Sequence, residues 1–274
     1  MRNCVRFIAA RATKVVGNFL KIPCFLFYAI SPRTRFSIPH HAMPLWPGRA
    51  HYQIPKIIWQ TNYTDRVTLA VYLNYLFNRL MSPTYEYRFM SPDERAEFIA
   101  QHCAPDIVNA YSRLQIGAAQ ADLWRLLVLG HSGGVYLDID AHIVWPLGFR
   151  IEPDYRELYF EHKAGRLTNY FIASASGNPH LDLVIASILS NIANVTTDDV
   201  AELTGPPVFN PSIKALDVRP PTTNTPAIRD HSPTSFFSMS IIPRASGFVP
   251  KTGSPLSSAS VSCLPRQVFA PARR

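Results

Sequence analysis

The residues best suited to chemistry in this 274-residue chain lie between positions 122 and 140. The stretch GGVYLDID, residues 133–140, ends a short apolar run in two aspartates one residue apart, Asp138 and Asp140. Strand alternation puts Tyr136, Asp138 and Asp140 on one side and Val135, Leu137 and Ile139 on the other. In an open α/β sheet, ligands gather at the carboxyl ends of strands, where this pair is expected. Neighbouring carboxylates repel, so a site that keeps both ionised needs a counter-charge. A hard divalent cation, Mn²⁺ or Mg²⁺, suits the task, because it binds few carboxylates and completes its shell with water and phosphate oxygens. A lone Asp-x-Asp is also a common turn, one aspartate capping and the other solvated, and the motif by itself leaves that reading open.

Just upstream, a largely apolar stretch carries Asp122 and Arg125 three residues apart. On a helix they share a face. Such a pair is usually surface decoration, but these neighbours are apolar, so the pair needs a ligand or an inward partner.

Several elements must position these groups. LQIGAAQADLWRLLVLGHSGG reads as a helix ended by Gly133 and Gly134, followed by a strand over VYLDID. Upstream, IPKIIWQT (54–61) reads as a first strand, 67–81 as a helix and 85–90 as a second strand. SPDERAEFIAQHC opens like a capped helix, with Ser91 at the cap, Pro92 next and Glu94 three residues on. Strand, helix, strand, helix predicts an α/β fold with a mostly parallel central sheet. Downstream, 157–163 and 170–176 read as strands, 179–193 as a helix, and LTGPPVF (203–209) as a turn-rich loop.

The run AAQADLWRLLVLGHSGGVYLDIDA, with IPKIIWQT before it and NYFIASASGNPHL and LTGPPVF after it, resembles glycosyltransferase family 32 over residues 50–210. That family holds capsular and lipopolysaccharide sugar transferases and yeast-type mannosyltransferases, and is related to the clostridial glucosylating toxins. The resemblance implies a GT-A fold, a nucleotide-sugar donor, a divalent metal, and retention of anomeric configuration. It implies that Asp140 binds the metal, that Asp138 contacts ribose and donor sugar beside it, and that Asp122 and Arg125 hydrogen-bond sugar hydroxyls. Trp59 matches an aromatic that stacks on the base in the toxin relatives, although many closer members carry histidine there. Tyr136 is grouped with the donor-binding residues. Asn169 and the Thr204–Gly205–Pro206 loop match positions near the site. The acceptor implied is a glycan or lipid-linked glycan.

Two rivals share features with this reading. A haloacid-dehalogenase-type phosphohydrolase also uses Asp-x-Asp after a strand, but wants Thr or Val where His142 stands and gives no reason for Asp122 and Arg125. A catalytically weak or inactive relative would bind the nucleotide sugar without turnover.

The chain is 47% hydrophobic and 17% charged, with net charge +8. The positive charge fits an anionic ligand or an anionic membrane surface. Nucleic acid is disfavoured, since no basic run with interleaved aromatics occurs. Cys4, Cys24, Cys103 and Cys263 lack metal-ligand spacing and suggest a reducing compartment. Three segments are expected: a basic amphipathic segment and linker (1–50), the transferase domain (51–218) and a divergent Pro/Ser-rich segment (219–274). In a helical projection of 1–22, Val5, Ile8, Ala12, Val15, Val16, Phe19 and Leu20 oppose Arg6, Arg11, Lys14, Asn18 and Lys21, with Phe7 and Arg2 breaking the pattern. That layout suits a helix lying in a membrane interface, hence a cytoplasmic protein peripheral at the membrane. A core-packed helix with a basic face, or a type II anchor reaching into 22–30, would also be compatible. Family members usually end in a His-x-x-x-Ser-Trp-like element. No counterpart follows residue 246, and the expectation is weak donor binding with either low transfer activity or appreciable donor hydrolysis.

Overall fold

A computed structural model describes residues 23–24, 26–48, 51–162, 166–194, 199–214, 222–223 and 227–229. The expectations for residues 1–22, for Cys4 and Cys263, and for the end of the chain after 229 lie outside the described residues.

A seven-stranded sheet in the order β10-β8-β9-β6-β3-β5-β2 organises the molecule. At its centre β3 (Ile57–Thr61) pairs in parallel with both β5 (Glu86–Met90) and β6 (Gly134–Leu137). Next to this triplet the neighbours turn antiparallel, with β9 (Arg166–Ser174) against β6, β8 (Glu157–His162) against β9, and β2 (His41–Ala42) against β5, while β10 (Thr222–Thr223) at the far edge pairs in parallel with β8. The sheet is therefore mixed, with a parallel centre. The antiparallel flank follows from chain order, because β9 returns directly beside β8 without a crossover helix.

Helices cover both faces. Alternation sends Ile57, Trp59 and Tyr136 into one apolar core and Ile58, Val135 and Leu137 into the other. This explains why β3 is buried at every position, as a central parallel strand must be. The second core is closed by α1 (Leu69–Met81). The first packs under α2 (Pro92–His102), α3 (Pro105–Arg113), α4 (Gly117–Ser132) and α5 (Pro179–Asn194). Helix α2 starts as its sequence requires: Ser91 and Glu94 form a reciprocal capping box.

Two expected boundaries differ. Within the expected linker of 1–50, β1 (Phe36–Ser37) pairs with β4 (Arg66–Val67) and β2 joins the main sheet. At the other end β10 (Thr222–Thr223) extends that sheet and β11 (Ala227–Arg229) pairs with β7 (Ala141–Ile143). The sheet thus draws strands from both sides of 51–218. Two-residue strands carry too little periodicity to be read locally. Second, the expected loop at 203–209 is two helices, α6 (Val200–Thr204) and α7 (Pro206–Lys214). Prolines that look like breakers here begin a helix, where their missing N–H costs nothing.

The Gly133–Gly134 pair ends α4 and launches β6. Gly133 has φ 67° and its N–H bonds the Leu129 carbonyl; Gly134 has φ 119°. A Cβ at Gly134 would stand 2.8 Å from the Ile57 carbonyl oxygen and 2.8 Å from Trp59 Nε1. Gly134→Ala is expected to destabilise the fold by about 2–4 kcal/mol through backbone strain and overpacking. Urea unfolding measures this, and a loss under about 0.5 kcal/mol would contradict the crowding argument.

Candidate functional site

The functional side chains meet at the carboxyl ends of β3 and β6. Strand β6 stops at Leu137, and Asp138 begins a turn closed by the Ala141 N–H on the Asp138 carbonyl, 3.0 Å. Asp140 sits inside this turn, where continuous alternation had placed it on the strand. Polar side chains from elsewhere hold the turn's backbone. Gln60 donates to the Asp138 carbonyl (3.1 Å) and Asn74 to those of Ile139 and Ala141 (3.1 and 2.8 Å). Asn78 donates to Ala141 (3.0 Å) and accepts from the Ile143 N–H (2.8 Å). All three amides are buried. Each satisfies carbonyls or amides that would otherwise be desolvated without partners. They were not among the site residues expected from the sequence. The signal available was two asparagines four residues apart inside an apolar helix.

Arg125 is the hub, at 5% exposure. Its Nη2 lies 2.8 Å from Asp122 Oδ1 and its Nη1 3.3 Å from Asp138 Oδ1. Nη1 also donates to the Asn169 carbonyl at 2.6 Å, Nε donates to the Ala121 carbonyl, and the guanidinium lies 4.3 Å from the Tyr136 ring centre. Burial alone would disfavour its charge. Tyr136 and then the carboxylates of Asp122, Asp138 and Asp140 act the other way and hold its pKa above the ordinary arginine value. The inward partner that an apolar helix demanded for Asp122 and Arg125 is therefore Asp138, on a neighbouring element.

Asp122 is fixed from three sides. Besides Arg125 it accepts from Asn169 Nδ2 (2.9 Å) and Thr204 Oγ1 (3.1 Å). Thr204 is the last residue of α6 and Asn169 lies on β9, so the cluster ties helix, strand and the 200–214 helices together. The structure thus brings Asp122, Arg125, Asp138, Tyr136, Asn169 and Thr204 into one hydrogen-bonded network, with Asp140 close enough for its charge to act on Arg125.

Tyr136 and Trp59 lie beneath this network rather than lining open space. Tyr136 is 1% exposed; burial pushes its phenol pKa well up, and its O–H donates to Asp138 Oδ1 at 2.7 Å. It orients an aspartate. Trp59, expected to stack on a base, is also 1% exposed, and its indole N–H is used on the Gly133 carbonyl at 2.9 Å. Its edge contacts Trp124. This is a core placement, and it follows from β3 being central: side chains on both faces are covered.

A divalent metal fits the donor set. Among the described residues no group of three or more His, Cys, Asp or Glu side chains is arranged to hold a metal ion by itself. Asp138 and Asp140 share one braced turn, and a hard cation that takes most of its oxygens from a diphosphate and water asks for little more. No described helix is long and apolar enough to cross a membrane.

The family model described as a glycosyltransferase sugar-binding region containing a DXD motif matches residues 70–159. An initiation-specific alpha-1,6-mannosyltransferase of Schizosaccharomyces pombe is 25% identical over 209 residues, 65% of this chain and 50% of that protein. The chain therefore spans about half the length of that relative. An uncharacterised glycosyltransferase of Acanthamoeba polyphaga mimivirus is 26% identical over 183 residues, covering 62% of this chain and 69% of that one. Among solved structures, the PaToxG glycosyltransferase superposes with a TM-score of 0.50 at 17% identity, over 77% of this chain and 79% of its own. At that identity it shows a shared fold, consistent with the GT-A expectation. The matched region runs from the helix that braces the turn, through the Asp122–Arg125 helix, to the Asp138–Asp140 turn itself, so it is through the residues of the candidate site that the chain is similar to glycosyltransferases whose sugar-binding region contains a DXD motif.

Proposed function

We propose that this chain transfers a sugar from a nucleotide-diphosphate donor to a glycan or lipid-linked acceptor, with retention of configuration. The observation that carries the proposal is the Arg125-centred network, which holds Asp122 and Asp138 rigidly at the carboxyl end of the central strands. Asp122, pinned by Asn169 and Thr204, presents a carboxylate of fixed direction to sugar hydroxyls. Asp138, oriented by the Tyr136 hydroxyl, would serve donor and metal together. Asp138 and Asp140 would hold Mn²⁺ or Mg²⁺, and the ion, when bound, supplies charge to stabilise a departing diphosphate. The chain's own contribution is positioning and preorganised charge. The acceptor hydroxyl attacks from the face the leaving group departs, and a donor phosphate oxygen takes its proton.

Incubating the protein with a panel of nucleotide sugars, Mn²⁺ and glycan acceptors tests this. Formation of glycosylated product and nucleoside diphosphate is the expected result. Donor binding without turnover would identify a binding-only relative, and cleavage of a phosphomonoester a phosphohydrolase.

We further propose that the chain works at an anionic membrane surface. Met43 and Trp46 are exposed on a loop that lies against the end of α1, through Arg79 Nη2 on the Met43 carbonyl and the Trp46 N–H on the Pro83 carbonyl. Leu76 and Leu80 are exposed on that helix. The basic amphipathic pattern of residues 1–22 precedes this apolar surface in the chain. The protein is expected to bind anionic vesicles at low salt and release at high salt. Changing Arg6, Arg11, Lys14 and Lys21 to Gln should lower partition by at least ~100-fold, at about 1 kcal/mol per charge. Sedimentation that ignores both lipid charge and salt would remove the idea.

A further inference from the structure

Arg95 stands out among the buried charges. It lies on α2, which packs against α3, α4 and β5. It is 3% exposed, its Nε has no hydrogen-bond partner among the described residues, and no described carboxylate pairs with it. Tyr111, on α3, is 6% exposed with an equally unpartnered hydroxyl. Arg95 lies near enough to Tyr111, Tyr136 and Arg125 to interact with them electrostatically. A buried guanidinium without an anion is costly and is normally paired. Here the two unsatisfied groups can both donate, one of them is cationic, and Arg95 lies near Tyr136, the ring on which Arg125 rests. Such a pair calls for an acceptor-rich, negatively charged ligand.

The charge balance of the neighbouring site points to which anion. Asp122, Asp138 and Asp140 place three carboxylates around one guanidinium. A donor diphosphate brought to that cluster adds more negative charge. Arg125 is engaged by its aspartates, whereas Arg95 keeps its charge unspent. Helix α2 follows directly from the carboxyl end of β5, which brings Arg95 to the side of the sheet where ligands gather.

We propose that Arg95 and Tyr111 form a phosphate-binding subsite beside the sugar-binding cluster, receiving the diphosphate of the donor. The assignment rests on the glycosyltransferase reading for the identity of the donor and on the buried donors themselves for the anion. A planar guanidinium with free N–H groups suits two phosphate oxygens, and the tyrosine hydroxyl supplies a further bond.

The test is calorimetric titration of the full chain with GDP, UDP and inorganic pyrophosphate, using wild type, Arg95→Met and Tyr111→Phe, with folding of each variant checked by Tm. Arg95→Met is expected to weaken binding of the preferred nucleoside diphosphate by about 10-fold or more. Its Tm should not fall, because the substitution removes an uncompensated buried charge. Tyr111→Phe, which only deletes a hydroxyl, should weaken the same ligand by roughly 3-fold or more. Unchanged diphosphate affinity in both variants overturns the subsite. Should wild type bind pyrophosphate in an Arg95-dependent way and neither nucleoside diphosphate, the subsite stands and the glycosyltransferase reading falls. Wild type that binds none of the three overturns both.

Discussion

Asp140→Asn abolishes sugar transfer while the protein remains folded: this is the expected result of removing one negative charge from the braced turn. The substitution keeps the side chain's shape. The hydrogen bonds that fix the turn's backbone come from Gln60, Asn74 and Asn78 and do not involve the Asp140 carboxylate. Arg125 keeps its direct partners, Asp122 and Asp138. What is lost is anionic charge where the proposed cation sits, and with it the charge stabilisation the reaction draws on. Turnover at saturating Mn²⁺ should fall on the order of 10³-fold, the scale seen when one preorganised electrostatic contact is deleted. Donor affinity should fall as well, while Tm stays within a few degrees. Initial-rate assays and a melting curve on the same preparation decide it. Near-normal turnover would remove Asp140 from the proposed metal site.

Arg125 should be the most damaging position in the network, and for two separable reasons. Arg125→Met leaves the carboxylates of Asp122 and Asp138 buried without their counter-charge. Breaking such a pair from one side costs about 3–5 kcal/mol. Arg125→Lys keeps the charge but loses the fork. A single ammonium cannot serve Asp122, Asp138 and the Asn169 carbonyl from one position, as Nη1 and Nη2 do here. It should therefore recover part of the stability and little of the rate. Combining Arg125→Met with Asp122→Asn separates the effects. Removing the orphaned charge should restore a measurable part of the stability lost, while activity stays absent. Denaturant unfolding and the turnover assay give both readings. A wild-type rate in Arg125→Lys, or unchanged stability in Arg125→Met, would contradict the role assigned.

Much of this was legible locally. The capping box at Ser91 and Glu94, the helical spacing of α1, the glycine pair that ends α4, and the apolar centre of β3 are written in short windows, because caps, turns and periodicity are properties of neighbouring residues. The grouping of Asp122, Arg125, Asp138 and Asp140 was also legible. A helix with a polar pair in apolar surroundings, followed at once by a glycine turn and a strand ending in aspartates, leaves few ways to assemble.

Partnership across the sheet was decided by tertiary structure. The family resemblance placed Trp59 against a ligand and strand alternation put Tyr136 on the side of the two aspartates, since an aromatic residue near a strand end looks the same whether its ring is covered or open. Folding made β3 and β6 central, closed helices over them, and turned Tyr136 into the support of Asp138 and Trp59 into core. It also brought Asn74 and Asn78 to a turn more than 60 residues away in the chain, and set an asparagine of β9 and a threonine of α6 on Asp122. The sequence by itself determined which residues are chemically able and which local elements carry them. Which of them point at one another depended on strand order, burial and long-range hydrogen bonds, because these arise from contacts whose spacing along the chain has no period to read.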